Sequence, residues 1–230
     1  PLNSAEIEQT EPPNNNWRPG EHYTVLSPSQ STIGKEGEVE VREFFLYSSP
    51  WSRDFQPYLK AWLATEPRQV VYVRKPAIVM PHSRLQARMY YTLRSLGRED
   101  LHDKMFDWAT DAARAPIYHT DYSRTVRPDV DGIFRLNLEF AELNGIDGER
   151  FSKVYRSEEI EREATLEEML QHVYHIVGTS TFVINGKYCV SVQRITERGI
   201  VGAKDYERLL DLIKYLVDKE RNSDNGRVAK

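Results

Sequence analysis

The sequence contains very little cysteine. Cys189 is the only cysteine among 230 residues, so the chain forms no internal disulfide and supplies no cysteine-only zinc site. A disulfide-stapled miniprotein is therefore excluded, and the length instead suffices for one large or two small domains with a sizeable core. Any reaction that needs two thiols of one chain is excluded on the same ground.

The sequence also lacks a long apolar run and an excess of charge of one sign. No unbroken apolar stretch reaches the ~18 residues of a membrane-spanning helix. Lys and Arg number 31, Asp and Glu number 35, and the formal net charge is -4, so long-range attraction to phosphate backbones or anionic membranes is weak. We expect neither nucleic acid among the partners nor direct insertion into a membrane.

Common catalytic motifs are missing as well. Glycine-rich phosphate loops, the paired histidines of zinc proteases and the serine elbow of α/β-hydrolases do not occur. Glu168, His172 and His175 share one face of a predicted helix and are chemically credible metal ligands. Ligands spread along two helical turns do not easily converge on one ion, so we predict a polar helix face, no metal and no cofactor. Nothing places a histidine beside Ser49 or Ser52 to form a hydrolytic dyad.

Hydrophobic periodicity and composition divide the chain into five segments. Residues 1–16 contain three Glu, three Pro and four Asn but no aromatic side chain, which predicts a flexible leader. Residues 17–80 combine strand and helix patterns, and residues 81–177 are helical almost throughout. Residues 178–220 return to strands and end in a helix, and residues 221–230 form a polar tail that we expect to be flexible.

The segment 17–80 predicts the beginning of a parallel sheet. Residues 39–47 are rich in β-branched and aromatic side chains, which favours a buried strand. Ser49 and Pro50 then favour a helix start, because serine is a good N-cap and proline fits the first helical position. Residues 70–73 predict a second buried strand, so a helix joins two strands, as in a right-handed parallel crossover.

The later segments predict a helical insertion followed by a hairpin. In residues 81–177, apolar side chains at helical spacing predict four or five helices separated by glycine and proline. Met169, Leu170 and Val173 form one such apolar helix face. An Asn-Gly pair between two short β-prone runs then predicts a hairpin, and a final helix follows. The sequence therefore predicts an α/β fold, a sheet flanked by helices, with an inserted all-α subdomain.

Three local sequences match a known family. Residues 17–26 (WRPGEHYTVL) resemble that family's segment before its first strand, and residues 43–52 (EFFLYSSPWS) resemble its strand and the start of its active-site helix. Residues 178–188 (GTSTFVINGKY) resemble the loop and hairpin that face the active site. The chain thus resembles the DsbA-like thiol:disulfide oxidoreductases over about residues 17–219. The resemblance implies a thioredoxin fold, a central mixed sheet flanked by helices, with an inserted helical subdomain.

The resemblance also implies that the redox positions have changed. Where the family carries Cys-x-x-Cys, this chain has Ser49 and Ser52, with Pro50 and Trp51 between them. Where the family carries a cis-proline, this chain has Ser180. A serine hydroxyl forms no disulfide and carries no electron pair between substrates. The resemblance therefore implies a redox-inactive chain whose ancestral redox positions are the two serines.

Further roles follow from the same resemblance. The family binds extended peptide at the loop that carries the cis-proline, so Thr179 and Ser180 are predicted to bind peptide together with Pro50 and Trp51. Because a cis bond before serine costs ~2.5 to 4 kcal/mol, we expect the bond between Thr179 and Ser180 to be trans. Glu43 matches a buried acid beneath the family's cysteines and is interpreted as inherited structure. Trp51 either anchors peptide or packs on the insertion.

Two functional hypotheses result. The first is a redox-inactive DsbA-like protein of the periplasm that binds unfolded or extended polypeptide, or a specific envelope protein, as a chaperone-like module. The alternative is a periplasmic oxidoreductase whose cysteines were changed to serine by design. Trp51 and Ser180 argue against this alternative, because removing cysteines gives no reason to change a cis-proline. Cys189 lies in the strand after the hairpin, so we expect it to be distant from Ser49 and structural.

Overall fold

A computed structural model describes residues 16–65, 70–118, 127–196 and 201–228, with side chains up to residue 223. The leader predicted for residues 1–16 lies outside this range except for Asn16. The strands are β1 (Thr24–Val25), β2 (Val39–Phe45), β3 (Val70–Pro76), β4 (Thr181–Ile184) and β5 (Tyr188–Ser191). The helices are α1 (Pro50–Thr65), α2 (Ser83–Ser95), α3 (His102–Thr110), α4 (Ala115–Tyr118), α5 (Val130–Leu143), α6 (Gly148–Tyr155), α7 (Glu158–Tyr174), α8 (Val192–Ile195) and α9 (Ala203–Val228).

The five strands form one mixed sheet in the order β1-β5-β4-β2-β3. β2 and β3 are parallel and joined through α1, which confirms the predicted crossover, whereas β4 is antiparallel to both β2 and β5. Every residue of β2 is buried, because elements cover both faces of this inner strand. β3 was expected to be buried, yet all of its residues except Pro76 are only half-buried, since β3 is an edge strand of the sheet.

Two local signals act as the sequence predicts. α1 begins at Pro50, and the Ser49 hydroxyl accepts a hydrogen bond of 3.3 Å from the backbone N–H of Ser52, which is an N-cap contact. Asn185 and Gly186 both have positive φ, 50° and 63°, and connect β4 to β5. A side chain at Gly186 would place its Cβ 2.1 Å from the Gln30 carbonyl oxygen, so this turn requires glycine.

The helical insertion is more divided than predicted. The described part of residues 81–177 contains six helices, α2 to α7, because the four-residue α4 is too short to appear as a separate hydrophobic period. Its core is built from aromatic and aliphatic side chains of α2, α3, α5 and α6. Met169, Leu170 and Val173 of α7, expected to form an apolar helix face, point to solvent instead.

The last helix extends into the segment predicted as a C-terminal tail. α9 extends to Val228, so the tail predicted for residues 221–230 is helical over most of its length. Arg221 pairs with Asp218 at 3.2 Å and the Ser223 hydroxyl donates to the Lys219 carbonyl at 2.8 Å, contacts that carry the helix onward. None of the helices in the described part of the chain combines the length and the apolar character needed to cross a membrane.

Candidate functional site

Three loops meet at one edge of the sheet. Because β2 and β3 are parallel, the loops that follow them leave the sheet at the same edge. β4 is antiparallel to β2, with Thr181 opposite Phe44, so the loop before β4 returns to this edge. The three segments are residues 46–49, 77–82 and 178–180. Sheet topology therefore brings together parts of the chain that are more than 100 residues apart.

A cleft of about 350 Å³ lies between these loops. One wall comes from the start of α1 and carries Trp51, whose side chain is 37% exposed. Trp51 thus presents part of its aromatic surface to the cleft. The remaining walls come from the loop after β3, from the end of the α7–β4 connection and from α8, and the lining residues are Leu46, Ser49, Pro50, Trp51, Val79, Met80, His82, Val177, Gly178, Thr179 and Gln193.

A cluster of serine hydroxyls lies behind the cleft. The Ser180 hydroxyl donates to the Ser52 hydroxyl at 3.2 Å, and Ser52 also accepts a bond of 3.3 Å from the backbone N–H of Leu46. Ser52 and Ser180 are completely buried, while Ser49 reaches the cleft wall. The structure thus brings the predicted residues together, but it places the side chains of Ser52 and Ser180 behind the surface that a peptide would contact.

The bond between Thr179 and Ser180 is cis, so the expectation of a trans bond is wrong. Contacts on both sides hold the loop in place. The Gln193 side-chain amide donates to the Thr179 carbonyl at 2.7 Å, and the Val192 backbone N–H donates to the Ser180 carbonyl at 3.3 Å. Together with the bond from Ser180 to Ser52, these contacts fix the loop against α1 and α8 without a proline.

Glu43 lies fully buried in a polar network beneath the hydroxyl cluster. The Gln56 amide donates to Glu43 at 2.8 Å and to the backbone carbonyl of Ser52 at 3.1 Å, so it joins the acid to the helix start. The Tyr72 hydroxyl also donates to Glu43, and Arg74 lies 3.6 Å from the carboxylate. Burial raises the pKa of Glu43, although the charge of Arg74 opposes the shift. This acid is paired within the protein.

Cys189 takes no part in the cleft. It lies on β5, opposite Thr24 of β1 and Val183 of β4, and it is not among the cleft-lining residues. Burial raises the pKa of the Cys189 thiol to about 11. The thiol is therefore protonated near neutral pH, and protonated thiols are poor nucleophiles.

The other residues considered from the sequence do not assemble a second site. Glu168 pairs with Arg84, His172 is exposed on α7, and His175 is exposed at the residue that follows this helix. Within the described ranges, no group of three or more His, Cys, Asp or Glu side chains is arranged to hold a metal ion.

Five cleft residues lie outside the segments that the sequence singled out. Val79, Met80 and His82 follow β3, Val177 precedes β4, and Gln193 lies on α8. The parallel pairing of β2 and β3 was a usable signal for the first three, because it predicts that the loops after both strands lie side by side. Gln193 had no such signal, since its position depends on the geometry of the hairpin and of α8.

Comparisons with known proteins agree with this geometry. No protein-family model matches the chain. The thiol:disulfide interchange protein DsbA of Pseudomonas aeruginosa is 29% identical over 203 residues, 88% of this chain and 85% of the relative. The crystal structure of Pseudomonas aeruginosa DsbA has a TM-score of 0.71 at 26% identity and covers 92% of this chain and 98% of that chain. The oxidoreductase DsbA from Xylella fastidiosa has a TM-score of 0.70 at 25% identity, with 89% and 98% covered.

Proposed function

We propose that this chain, which resembles DsbA proteins over most of its length and shares their thioredoxin fold with a helical insertion, is a redox-inactive, polypeptide-binding module of the bacterial periplasm. Its clients are unfolded or extended polypeptides, or one specific envelope protein. The cleft between the start of α1 and the α7–β4 loop is the proposed binding site. The periplasmic location is proposed because the chain resembles the DsbA family.

The absence of a thiol pair supports redox inactivity. Thiol–disulfide exchange needs one thiolate to attack a disulfide and a second thiol to resolve the mixed disulfide. Cys189 is the only cysteine in the sequence, and it is half-buried, with a thiol pKa raised to about 11. At the start of α1, where the resemblance implies a redox pair, the chain has Ser49 and Ser52. A dithiol cycle within one molecule is therefore chemically excluded.

One observation carries the binding proposal: the cleft combines apolar walls with a backbone carbonyl that already accepts an amide hydrogen. Trp51, Met80 and Val177 supply apolar surface, and the Thr179 carbonyl accepts from the Gln193 amide. An extended polypeptide offers the same two features, apolar side chains on one side of its backbone and amide donors along it. A carbonyl oxygen accepts two hydrogen bonds, so a peptide N–H in the cleft would donate to the Thr179 carbonyl alongside Gln193.

The test is binding of a fluorescein-labelled synthetic peptide with alternating valine and serine, followed by fluorescence anisotropy. Trp51→Ala should weaken binding about tenfold or more, because buried tryptophan anchors contribute ~2 kcal/mol or more at binding sites. Leu143→Ala removes an exposed apolar side chain on α5 and serves as the matched control. Equal affinities of the Trp51→Ala and Leu143→Ala variants would contradict the proposal.

The alternative hypothesis, an oxidoreductase disarmed by design, is favoured by one observation. Ser49 lies at the N-cap of α1 and Ser52 follows within the first turn, which suits a Cys-x-x-Cys pair. The variant that combines Ser49→Cys with Ser52→Cys tests it by catalysed reduction of insulin with dithiothreitol. We expect a rate near that of the unmodified chain. Catalysis comparable to that of the Pseudomonas aeruginosa DsbA would favour the alternative.

A further inference from the structure

Buried glutamine side chains of the helical insertion hold two of the three loops that form the cleft. Gln86 of α2 is buried, and its amide forms two hydrogen bonds of 2.9 Å to Ser48 in the loop after β2. The amide oxygen accepts from the Ser48 backbone N–H, and the amide nitrogen donates to the Ser48 hydroxyl. Leu46 and Ser49, on either side of Ser48, line the cleft. This contact therefore fixes the backbone beside one wall of the cleft.

The second loop is held in the same way from α7. The buried Gln171 side chain donates to the Pro76 carbonyl at 2.8 Å and accepts from the Ile78 backbone N–H at 2.6 Å. Because an amide carries a donor and an acceptor at one end, it bonds to the end of β3 as a neighbouring strand would. Val79 and Met80 follow directly and line the cleft. The backbone that leads into this wall is thus fixed by a side chain 93 residues away from Ile78 in the sequence.

The partners of these two amides distinguish them from a buried amide that supports the insertion itself. A buried polar side chain needs hydrogen-bond partners, and Gln86 and Gln171 find theirs in the cleft loops. Asn137 of α5 is also buried, but its amide accepts from the Tyr118 hydroxyl at 2.7 Å and donates to the Tyr155 hydroxyl at 3.5 Å. Both of these partners lie within the insertion. Gln86 and Gln171 instead link the insertion to the cleft.

The third loop is held by a glutamine of its own. Gln193 of α8 donates to the Thr179 carbonyl at 2.7 Å, but this glutamine is exposed and lies outside the insertion. Glutamine amides from three helices therefore hold the three cleft loops. Because two of these helices belong to the insertion, the insertion as well as the sheet determines where the walls of the cleft stand.

We propose that Gln86 and Gln171 are positioning residues that set the shape of the cleft, so that the helical insertion determines how tightly the cleft binds extended polypeptide. This inference rests on the proposed function and deepens it. Neither side chain lines the cleft, so each acts through the loop that it holds. A loop that is fixed before binding loses little conformational entropy when the polypeptide binds. Removing either amide should therefore weaken binding although no contact with the ligand is lost.

Gln86→Met and Gln171→Met test the inference, because methionine is unbranched and similar in size to glutamine but cannot replace the amide hydrogen bonds. Each variant should bind the fluorescein-labelled valine–serine peptide about tenfold more weakly, since the ligand must then order the released loop. Asn137→Leu is the matched control, because it removes a buried amide whose hydrogen bonds stay inside the insertion. All three variants should lose unfolding free energy in urea. The control, however, should bind the peptide as tightly as the unmodified chain does.

Hydrogen exchange of the unmodified chain is a second measurement that needs no variant. Saturating peptide should slow exchange at the backbone N–H groups of Ser48 and Ile78 no more than at the amides of β2, which report the general effect of ligand binding on stability. Exchange slowed tenfold more at Ser48 and Ile78 than in β2 would overturn the inference, because the ligand rather than the glutamines would then order the loops. This measurement decides the question if the methionine variants do not fold.

The binding experiment can overturn the inference as well. Equal peptide affinity of the two methionine variants and Asn137→Leu would show that the glutamines do not position the cleft walls. Failure of the proposed function is recognised separately, because Trp51→Ala would then leave peptide binding unchanged.

Discussion

Acidification should destabilise this protein through one buried histidine. His102 is hydrogen-bonded to the Tyr47 hydroxyl and stacks on Tyr90 with ring centroids 4.9 Å apart. Burial, with a smaller contribution from the charge of Arg74, lowers the pKa of His102 from 6.5 to about 3. The folded state therefore keeps the ring neutral while the unfolded chain takes up a proton. The stabilisation is complete above pH 6.5 and is lost as pH falls from 6.5 toward about 3.

The magnitude follows from this difference in proton binding. Between pH 7 and pH 5 the unfolded histidine changes from mostly neutral to mostly protonated, whereas the folded ring stays neutral, which favours unfolding by about 2 kcal/mol. The result depends little on the folded pKa as long as that value lies well below 5. Glu43 contributes in the opposite direction, because a raised carboxyl pKa makes stability fall as pH rises above its ordinary range.

Urea unfolding at pH 7 and pH 5 measures how the unfolding free energy changes with pH. Comparing variants separates the contribution of His102 to this change from the contribution of Glu43. His102→Asn keeps a polar atom near the position of Nδ1 but does not titrate in this range. The quantity compared is the change in unfolding free energy with pH, which should be about 2 kcal/mol smaller for this variant. His172→Asn, at an exposed position on α7, is the matched control. A pH dependence of His102→Asn equal to that of the unmodified chain would refute the argument.

Three further predictions concern the site and the single thiol. Cys189 should react with dithiobis(nitrobenzoate) at pH 8 about a hundredfold more slowly than an unstructured cysteine peptide, because its pKa is about 11; equal rates would contradict this. Gln193→Ala should weaken binding of the extended peptide, because the loop that carries the Thr179 carbonyl loses a contact that holds it in place; unchanged or tighter binding would argue against that role. Ser52→Ala should lower the urea unfolding free energy by ~1 to 3 kcal/mol, because the buried Leu46 N–H loses its acceptor; an unchanged midpoint and slope would contradict this.

Elements with a local cause were predictable from the sequence. Ser49 and Pro50 start α1 because capping and the fixed φ of proline act within one helical turn. Asn185 and Gly186 form the hairpin turn because both adopt positive φ. The parallel pair β2 and β3 followed from these local signals, since a strand, a helix and a strand in sequence have few ways to associate.

Features that depend on contacts between elements far apart in the sequence were not predictable from local sequence patterns. The pattern of Met169, Leu170 and Val173 indicates an apolar face but not where that face points. Its direction is decided by Glu167 and Gln171, which find polar partners on α2, at the last residue of β3 and just after that strand. Periodicity describes a helix alone, whereas the choice of its buried side depends on contacts between elements.

The loop before β4 depends on distant contacts to a similar degree. Intrinsic cost favours a trans bond before Ser180, but the cis form is held by Gln193, Val192 and Ser52 from two other elements. The sequence of the loop itself does not indicate a cis bond. The shape of the cleft depends on the same contacts, because they position the Thr179 carbonyl on its wall.

The polar groups behind the cleft favour binding over nucleophilic catalysis. A catalytic serine needs a base that activates its hydroxyl toward a substrate. Here the hydroxyls of Ser52 and Ser180 bond to each other, and Glu43 is occupied by Gln56 and by Tyr72. Among the described residues, the buried side-chain atoms that lack hydrogen-bond partners all lie outside the cleft. The hydroxyl cluster and its network thus act as a support that fixes the cleft walls, and a prearranged apolar cleft lowers the entropic cost of binding a flexible polypeptide.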